Sequence, residues 1–122
     1  MWLVHGTTLR RAEAIVAHGP DPRYREPGGH AWNDGWSVYV LGGPYGFKPP
    51  EEYAVRKAAL FPTEGGPALL EVFVPMAIIQ AVDLELFPVR HGHFQFHVGN
   101  GMEELRAAWP RLRKRVRSLE AP

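Results

Sequence analysis

The chain has 122 residues, of which 45% are hydrophobic, and this predicts one globular domain around a single packed core. A formal net charge of +1 gives no field strong enough to attract nucleic acid or a membrane surface by itself. The absence of cysteine excludes disulfides, thiolate catalysis and cysteine-bound zinc, and is compatible with a reducing, cytoplasmic compartment. The sequence shows no membrane-length apolar run and no signal-peptide pattern, so we expect no membrane partner.

The first part of the chain predicts two strands with a capped helix between them. Residues 2–5 predict a short strand, and a helix with one apolar face follows. Thr7 or Thr8 can cap this helix, because either hydroxyl can accept a hydrogen bond from an unpaired N–H group. Gly19 ends the helix. A long loop rich in glycine and proline leads to residues 37–41, a β-rich run that predicts the second strand.

The middle of the chain predicts a second helix and two further strands. Residues 50–61 carry acidic side chains in their first turn, where the helix dipole favours them. Residues 68–74 place apolar side chains on one face and are the clearest strand pattern. A short helical turn at 76–81 and a strand at 93–98 follow.

The tail predicts a basic amphipathic helix over about residues 102–119. Six basic residues and no acidic ones lie between Arg106 and Arg117. We expect Pro110 to kink or restart the helix, because proline cannot donate to the helical ladder. Two interpretations remain open: a solvated basic face on a packed helix, or a patch for an acidic partner or nucleic acid. The apolar stripe of this helix consists of Leu105, Trp109, Leu112, Val116 and Leu119.

Four segments of the sequence occur in an order that is also found in a known protein family. The first is His-Gly-Thr at residues 5–7, followed by a helix with Ala12, Ile15 and Gly19. The second is the strand SVYVL, the third the helix EEYAVRKAALF, and the fourth the strand ALLEVFV. Over about residues 2–75 these segments resemble the ADP-ribosyltransferase superfamily, in the branch of the poly(ADP-ribose) polymerase catalytic domains and small bacterial toxins.

The resemblance implies an α+β fold with a split, mostly antiparallel β-sheet core and flanking helices. It also implies that residues 1–122 form one domain and that NAD is its substrate. His5 would hold a ribose hydroxyl, and Gly6 would offer its backbone N–H and C=O to the nicotinamide carboxamide. Thr7 would add a hydroxyl contact or cap the helix. The structural alternatives are that His5 bonds only a backbone carbonyl and that Gly6 only permits a turn.

Aromatic residues at matching positions would bind the nicotinamide ring. Tyr39 and Tyr53 would form two sides of a slot, because the face of an aromatic ring attracts a cation. Tyr45 could replace either of them. The alternative is that both tyrosines pack as ordinary half-buried aromatics of a strand and a helix.

The family's late-strand glutamate, which stabilises positive charge as nicotinamide leaves, has no counterpart in this sequence. Gln95 occupies the late strand and could accept a hydroxyl, but it carries no charge. Glu103 and Glu104 follow, where a helix N-terminus also favours acidic residues, and Glu71 is a more distant candidate. We therefore take Tyr39, Gln95 and Glu103 as the candidate catalytic residues.

An active domain of this kind would cleave the nicotinamide–ribose bond of NAD. ADP-ribose would pass to a protein or nucleic-acid acceptor, as in a mono-ADP-ribosyltransferase or toxin, or to water, as in an NAD glycohydrolase. Arg10 and Arg11 follow the His-Gly-Thr motif and could meet phosphates, although exposed helix positions explain them equally well.

Two alternatives of other classes remain. His91, His93 and His97 lie close together in sequence and could bind a metal ion, with Glu103 or His30 as a fourth ligand. The second alternative is a non-catalytic binding or interaction module, a degenerate relative of the family.

Overall fold

The computed structural model describes residues 1–21, 35–43, 48–85 and 92–120. In these ranges the chain forms strands, α-helices and one 3₁₀ turn, Trp109–Arg111. The strands are β1 Trp2–Thr8, β2 Gly35–Val40, β3 Pro67–Phe73, β4 His93–His97 and β5 Lys114–Ser118. The α-helices are α1 Leu9–His18, α2 Lys48–Leu60, α3 Met76–Ile79 and α4 Met102–Ala108.

The described strands form one antiparallel sheet in the order β4-β2-β1-β3-β5. The larger core lies on the sheet face that α1 and α4 cover, and a smaller cluster of Val4, Ala54 and Leu69 lies under α2. The predicted α+β class with an antiparallel sheet is therefore confirmed. None of the helices in the described ranges has both the length and the apolar character needed to cross a membrane.

The central strand β1 separates from β2 soon after it begins. On its other edge, β1 pairs with β3 along its whole length, from Trp2 to Thr8. The pairing of β1 with β2 has only two residue pairs, Leu3 with Val40 and Val4 with Tyr39. The sheet therefore opens between β1 and β2 from His5 onward.

Local signals in the sequence explain how α1 begins and ends. The Thr8 hydroxyl accepts a hydrogen bond from the Arg11 N–H at 3.3 Å, so Thr8 rather than Thr7 is the N-cap. Gly19 follows the last turn with φ of 80°, a conformation that glycine adopts without steric cost.

Gly6 allows α2 to lie directly on β1. A Cβ atom at position 6 would stand 2.0 Å from the Pro50 carbonyl oxygen and 3.2 Å from the Ala54 nitrogen. Any side chain would therefore push the first turn of α2 away from the sheet. The sequence analysis expects Gly6 to offer its backbone to a ligand, and the packing of α2 on β1 requires a glycine at the same position.

The predicted helix over 102–119 is wrong beyond Arg111. The chain is helical from Met102 and then turns into β5, which pairs antiparallel with β3. Pro110 removes a backbone donor, and the remaining residues alternate in burial, so an extended strand satisfies them better than a helix does. The basic residues of the tail consequently lie along the edge strand, where positive charge discourages pairing with other chains.

We predict that Gly6→Ala destabilises the fold by about 3 kcal/mol or more, because overpacking against the backbone of α2 cannot relax by a rotamer change. Gly43→Ala is the matched control, since its Cβ would approach the nearest atom, the Val40 carbonyl oxygen, only to 3.1 Å. Urea unfolding of both variants checks this. Equal losses of unfolding free energy would contradict the proposed packing of α2 on β1.

Candidate functional site

A cleft of about 470 Å³ opens where β1 and β2 diverge. Residues of α1 and α2 flank it, and β1, β2 and β4 contribute side chains from the sheet. This volume lies within the range of small-molecule sites. The candidate site residues from the sequence that line it are His5, Gly6, Arg10, Arg11, Tyr39, Tyr53, His93 and Gln95.

His5 bridges the gap between β1 and β2. Its Nδ1 lies 2.8 Å from the carbonyl oxygen of Ser37, on the strand that β1 has left. Burial, aided by the charge of Lys57 and opposed by the Ser37 hydrogen bond, lowers the pKa of His5 to about 3. The ring is therefore neutral at pH 7, and because a carbonyl can only accept, Nδ1 carries the proton. The other ring nitrogen, Nε2, is a hydrogen-bond acceptor.

The backbone of Gly6 faces the opening. The Leu41 N–H donates to the Trp2 carbonyl at 3.0 Å, and the Val74 N–H donates to the Met1 carbonyl at 2.9 Å. Backbone groups of successive strand residues alternate in direction, so even-numbered residues of β1 direct theirs toward β2. Since β2 has diverged at this point, the N–H and C=O of Gly6 point into the cleft.

Tyr39 and Tyr53 form one aromatic wall. Their ring centroids are 6.4 Å apart and their planes are tilted by 43°. A third ring inserted between two others needs about 7 Å, so these tyrosines do not form the predicted two-sided slot. Burial first, and the proximity of Tyr53 second, raise the pKa of Tyr39 to about 12. The Tyr39 hydroxyl is therefore neutral at pH 7.

Gln95 lines the cleft and carries a buried polar atom that has no hydrogen-bond partner among the described residues. The side chain is 4% exposed, and its Nε2 donates to the Ser37 hydroxyl oxygen at 2.8 Å. Its Oε1 has no hydrogen-bond partner among the described residues. Whichever way the amide is oriented, Ser37 meets only one of its two ends. An unmade bond of this kind costs about 1–3 kcal/mol, which a ligand donor would recover.

Thr7, Glu71 and Glu103 are among the candidate residues that lie outside the cleft. Thr7 is fully buried and does not line the cleft. Glu103 is exposed, and its carboxylate accepts the Gly99 N–H at 2.9 Å, which lowers the pKa of Glu103. Glu71 is buried and bonded to Arg115 Nε at 2.6 Å. Neither Glu71 nor Glu103 therefore places its carboxylate in the cleft. The position of Glu103 outside the cleft argues against the catalytic role expected from the sequence.

Sequence reasoning missed Lys57, which also lines the cleft. Lys57 is 6% exposed, and burial together with the nearby charge of Arg11 lowers its pKa to about 7. It follows Tyr53 by four residues in α2, and residues at this spacing share a helix face. That spacing was the signal in the sequence that could have placed Lys57 beside the aromatic wall.

Glu64 was missed as well and organises the α1 side of the cleft. Its Oε1 accepts hydrogen bonds from Arg11 Nε at 2.6 Å and from the Thr8 hydroxyl at 2.9 Å. These two bonds, that from Arg11 first, lower the pKa of Glu64. The Arg11 guanidinium also lies 4.0 Å above the Phe61 ring. Glu64 therefore fixes Arg11 and ties the turn before β3 to the start of α1.

The described residues offer no metal centre. His93 and His97 are four residues apart on β4, a separation of about 13 Å at about 3.3 Å per residue. No three histidine, cysteine, aspartate or glutamate side chains converge in the described parts of the chain. His30, Tyr45 and His91 lie outside the described residues.

Comparisons of the chain with protein families, curated proteins and solved structures gave no match. The resemblance to ADP-ribosyltransferases therefore rests on the sequence segments quoted above. Its implications for function are developed below as a proposal.

We predict that His5 makes the fold sensitive to acid. The pKa of His5 is about 3 in the folded protein, whereas the ordinary pKa of a histidine in an unfolded chain is about 6.5. Between these values the unfolded chain binds more protons, so stability falls as pH drops from 6.5 toward 3, by about 1.4 kcal/mol per unit.

His5→Asn tests this contribution, because an amide can still donate to Ser37 but does not titrate. Its unfolding free energy, measured by urea denaturation from pH 7 to pH 4, should decline less steeply than that of the wild type. His18→Asn, at an exposed position of the same cleft, is the control. Identical pH slopes for wild type and His5→Asn would contradict the buried neutral imidazole.

Proposed function

We propose that this domain binds NAD in the cleft between β1 and β2 and acts as an ADP-ribosyltransferase-like domain. One observation carries the proposal. His5, Gly6, Tyr39, Tyr53 and Gln95 come from four different elements and line a single cleft. The sequence resemblance assigns nicotinamide-riboside recognition to four of these five residues.

The nicotinamide end would be recognised by the groups that project into the gap. A carboxamide has one carbonyl and one NH₂ group, which match the N–H and C=O of Gly6. The second amide hydrogen can bond Gln95 Oε1, a buried acceptor without a partner among the described residues. The positively charged ring would stack on the wall formed by Tyr39 and Tyr53.

The adjoining ribose would be held by His5. Its Nε2 is an acceptor in the neutral ring, and a ribose hydroxyl is a donor of matching chemistry. The Ser37 hydrogen bond fixes the ring orientation, so this acceptor is in place before the ligand arrives. Preorganisation of this kind reduces the cost of binding.

The reaction would break the bond between ribose C1′ and the nicotinamide nitrogen, and the electron pair would leave with nicotinamide. A hydroxyl or amine of a protein or nucleic acid, or a water molecule, would then bond to C1′ and release a proton. The amide oxygen of Gln95 has two lone pairs, so besides the carboxamide N–H it can accept a ribose hydroxyl. As a dipole it stabilises developing positive charge less than a carboxylate does. We therefore propose slow turnover, as a mono-ADP-ribosyltransferase or NAD glycohydrolase, in the cytoplasm.

We predict that NAD and free nicotinamide both raise the melting temperature of the wild type. At ten times the dissociation constant the stabilisation is about 1.4 kcal/mol, or about 5 °C for a chain of this size. Gln95→Leu removes the unpaired acceptor and should reduce the shift caused by nicotinamide by more than half. Glu103→Gln, remote from the cleft, should keep the full shift; absence of any shift in the wild type refutes NAD binding.

We further predict that Gln95→Glu increases the release of nicotinamide from NAD at least tenfold, because it restores negative charge where positive charge develops. Chromatographic assay of free nicotinamide over several hours measures this. Glu103→Ala should leave the wild-type rate unchanged. A Gln95→Glu protein that folds, binds NAD and is no faster than wild type would contradict the assigned position of the ribose.

A further inference from the structure

The strand β5 pairs with β3 on one side and with no described strand on the other. The Phe73 N–H donates to the Arg113 carbonyl at 2.9 Å, and the Leu119 N–H donates to the Pro67 carbonyl at 2.9 Å. Odd-numbered residues of β5 therefore direct their backbone groups toward β3, and even-numbered residues direct theirs outward. The outward N–H and C=O groups belong to Lys114, Val116 and Ser118.

A row of arginines stands on one face of this edge. Arg113, Arg115 and Arg117 are exposed and alternate along the chain, so they share a face of the sheet. Arg117 lies opposite Leu69, which belongs to the cluster under α2, so the row is on the α2 side. The guanidinium groups of Arg115 and Arg113 lie 4.5 Å and 5.7 Å from the centroid of the Trp2 ring. The edge therefore carries cationic side chains at intervals of about 7 Å.

Positive charge at this edge exceeds the carboxylates near it. Residues 111–120 contain five basic residues and one acidic residue, Glu120. Glu71 is the one ionisable residue in the sequence of β3, and its carboxylate accepts a hydrogen bond from Arg115 Nε at 2.6 Å. With both carboxylates counted, an excess of three positive charges remains. Charge complementarity therefore favours an acidic partner.

An antiparallel strand added to β5 would meet the arginine row at close range. Its hydrogen bonds would go to the even-numbered residues of β5, so the arginines would occupy the non-hydrogen-bonded pairs, where opposite Cα atoms are about 4.5 Å apart. Opposite charges in such pairs stabilise a sheet and like charges destabilise it. A second copy of this chain pairing through β5 would place Arg115 opposite Arg117. The edge therefore disfavours self-pairing and favours an acidic strand.

We propose that β5 is a docking edge for an extended acidic segment of a partner protein, which adds to the sheet as an antiparallel strand with acidic residues at every second position. Backbone bonds to the outward groups of β5 supply affinity, and carboxylates opposite the arginine row supply specificity. Of the two partners left open for the basic tail, the outward backbone groups favour a peptide, because a nucleic acid cannot form a ladder of N–H and C=O bonds. The proposal does not depend on NAD binding.

Hydrogen exchange followed by NMR tests strand addition on the unaltered protein. The probe is a short peptide of alternating threonine and glutamate. In the free protein the Val116 amide should exchange quickly and the Arg117 amide slowly, because only the latter is directed toward β3. Saturating peptide should slow exchange of the Val116 amide at least tenfold. A peptide that does not bind, or that binds and leaves this exchange rate unchanged, would overturn the proposal.

Methylation of the peptide's backbone nitrogens separates strand addition from simple charge attraction. In the proposed register the threonine N–H groups bond to β5, and the glutamate N–H groups point away from it. Methylation of the threonine nitrogens should abolish binding, and methylation of the glutamate nitrogens should leave the affinity unchanged. Equal affinities of the two methylated peptides would show that charge alone attracts them, and the docked strand would be refuted.

Arg113→Glu should weaken binding of the peptide about tenfold at low salt, because one attractive cross-strand pair becomes repulsive. Lys48→Glu makes the same charge change at an exposed position of α2 and should bind as the wild type does. Equal losses in the two variants would indicate a response to net charge and count against the edge. Tight binding of a thymidine oligonucleotide without binding of the peptide would assign the basic edge to nucleic acid and overturn the proposal.

Discussion

Backbone pairing between β1 and β2 stops after two residue pairs, and at the next residue the imidazole of His5 hydrogen-bonds to β2 instead. The carbonyl of Ser37 has no backbone N–H of β1 opposite it, and it accepts a hydrogen bond from the His5 Nδ1–H group instead. This single bond accounts for several properties of the site. It fixes the tautomer of His5 and the orientation of its ring, which burial keeps neutral although this bond favours the charged form. The backbone of Gly6 is directed into the open space beside it. The cleft exists because the sheet is open at this point, and the histidine satisfies the polar group exposed by the opening.

Charged side chains around the cleft fix one another's positions and protonation states. Glu64 accepts two hydrogen bonds and thereby fixes Arg11, which in turn disfavours the charged form of Lys57. Polar groups buried without full compensation cost stability, and they are concentrated at binding and catalytic sites for that reason. The amide of Gln95, whose Oε1 has no hydrogen-bond partner among the described residues, is of this kind.

Most elements of the fold could be predicted because their signals are local. The threonine pair before α1, Gly19 after it and the alternating residues of β3 determine their structures within a few neighbours. The tail could not be predicted in this way, because Val116 fits both a helical stripe and an alternating strand. Only Pro110 and the available edge of β3 decide between them. The aromatic wall and the remote position of Glu103 depend on distances between elements, which no local pattern contains. The spacing of Tyr53 and Lys57 places both on one helix face, but the burial of Lys57 depends on how α2 packs on the sheet.

The opening divides the sheet into two parts, β4 with β2 and β1 with β3 and β5. These parts share more packed side chains on one face of the sheet than on the other. On the α1 and α4 side, one continuous core spans β4, β2, β1 and β3. On the α2 side the smaller cluster is centred on Val4, Ala54 and Leu69, and the tyrosine pair is the other link. The His5–Ser37 hydrogen bond is therefore one of the links between β1 and β2 beyond Val4. A molecule that contacts both Gly6 of β1 and Gln95 of β4 would link the same two parts of the sheet a second time.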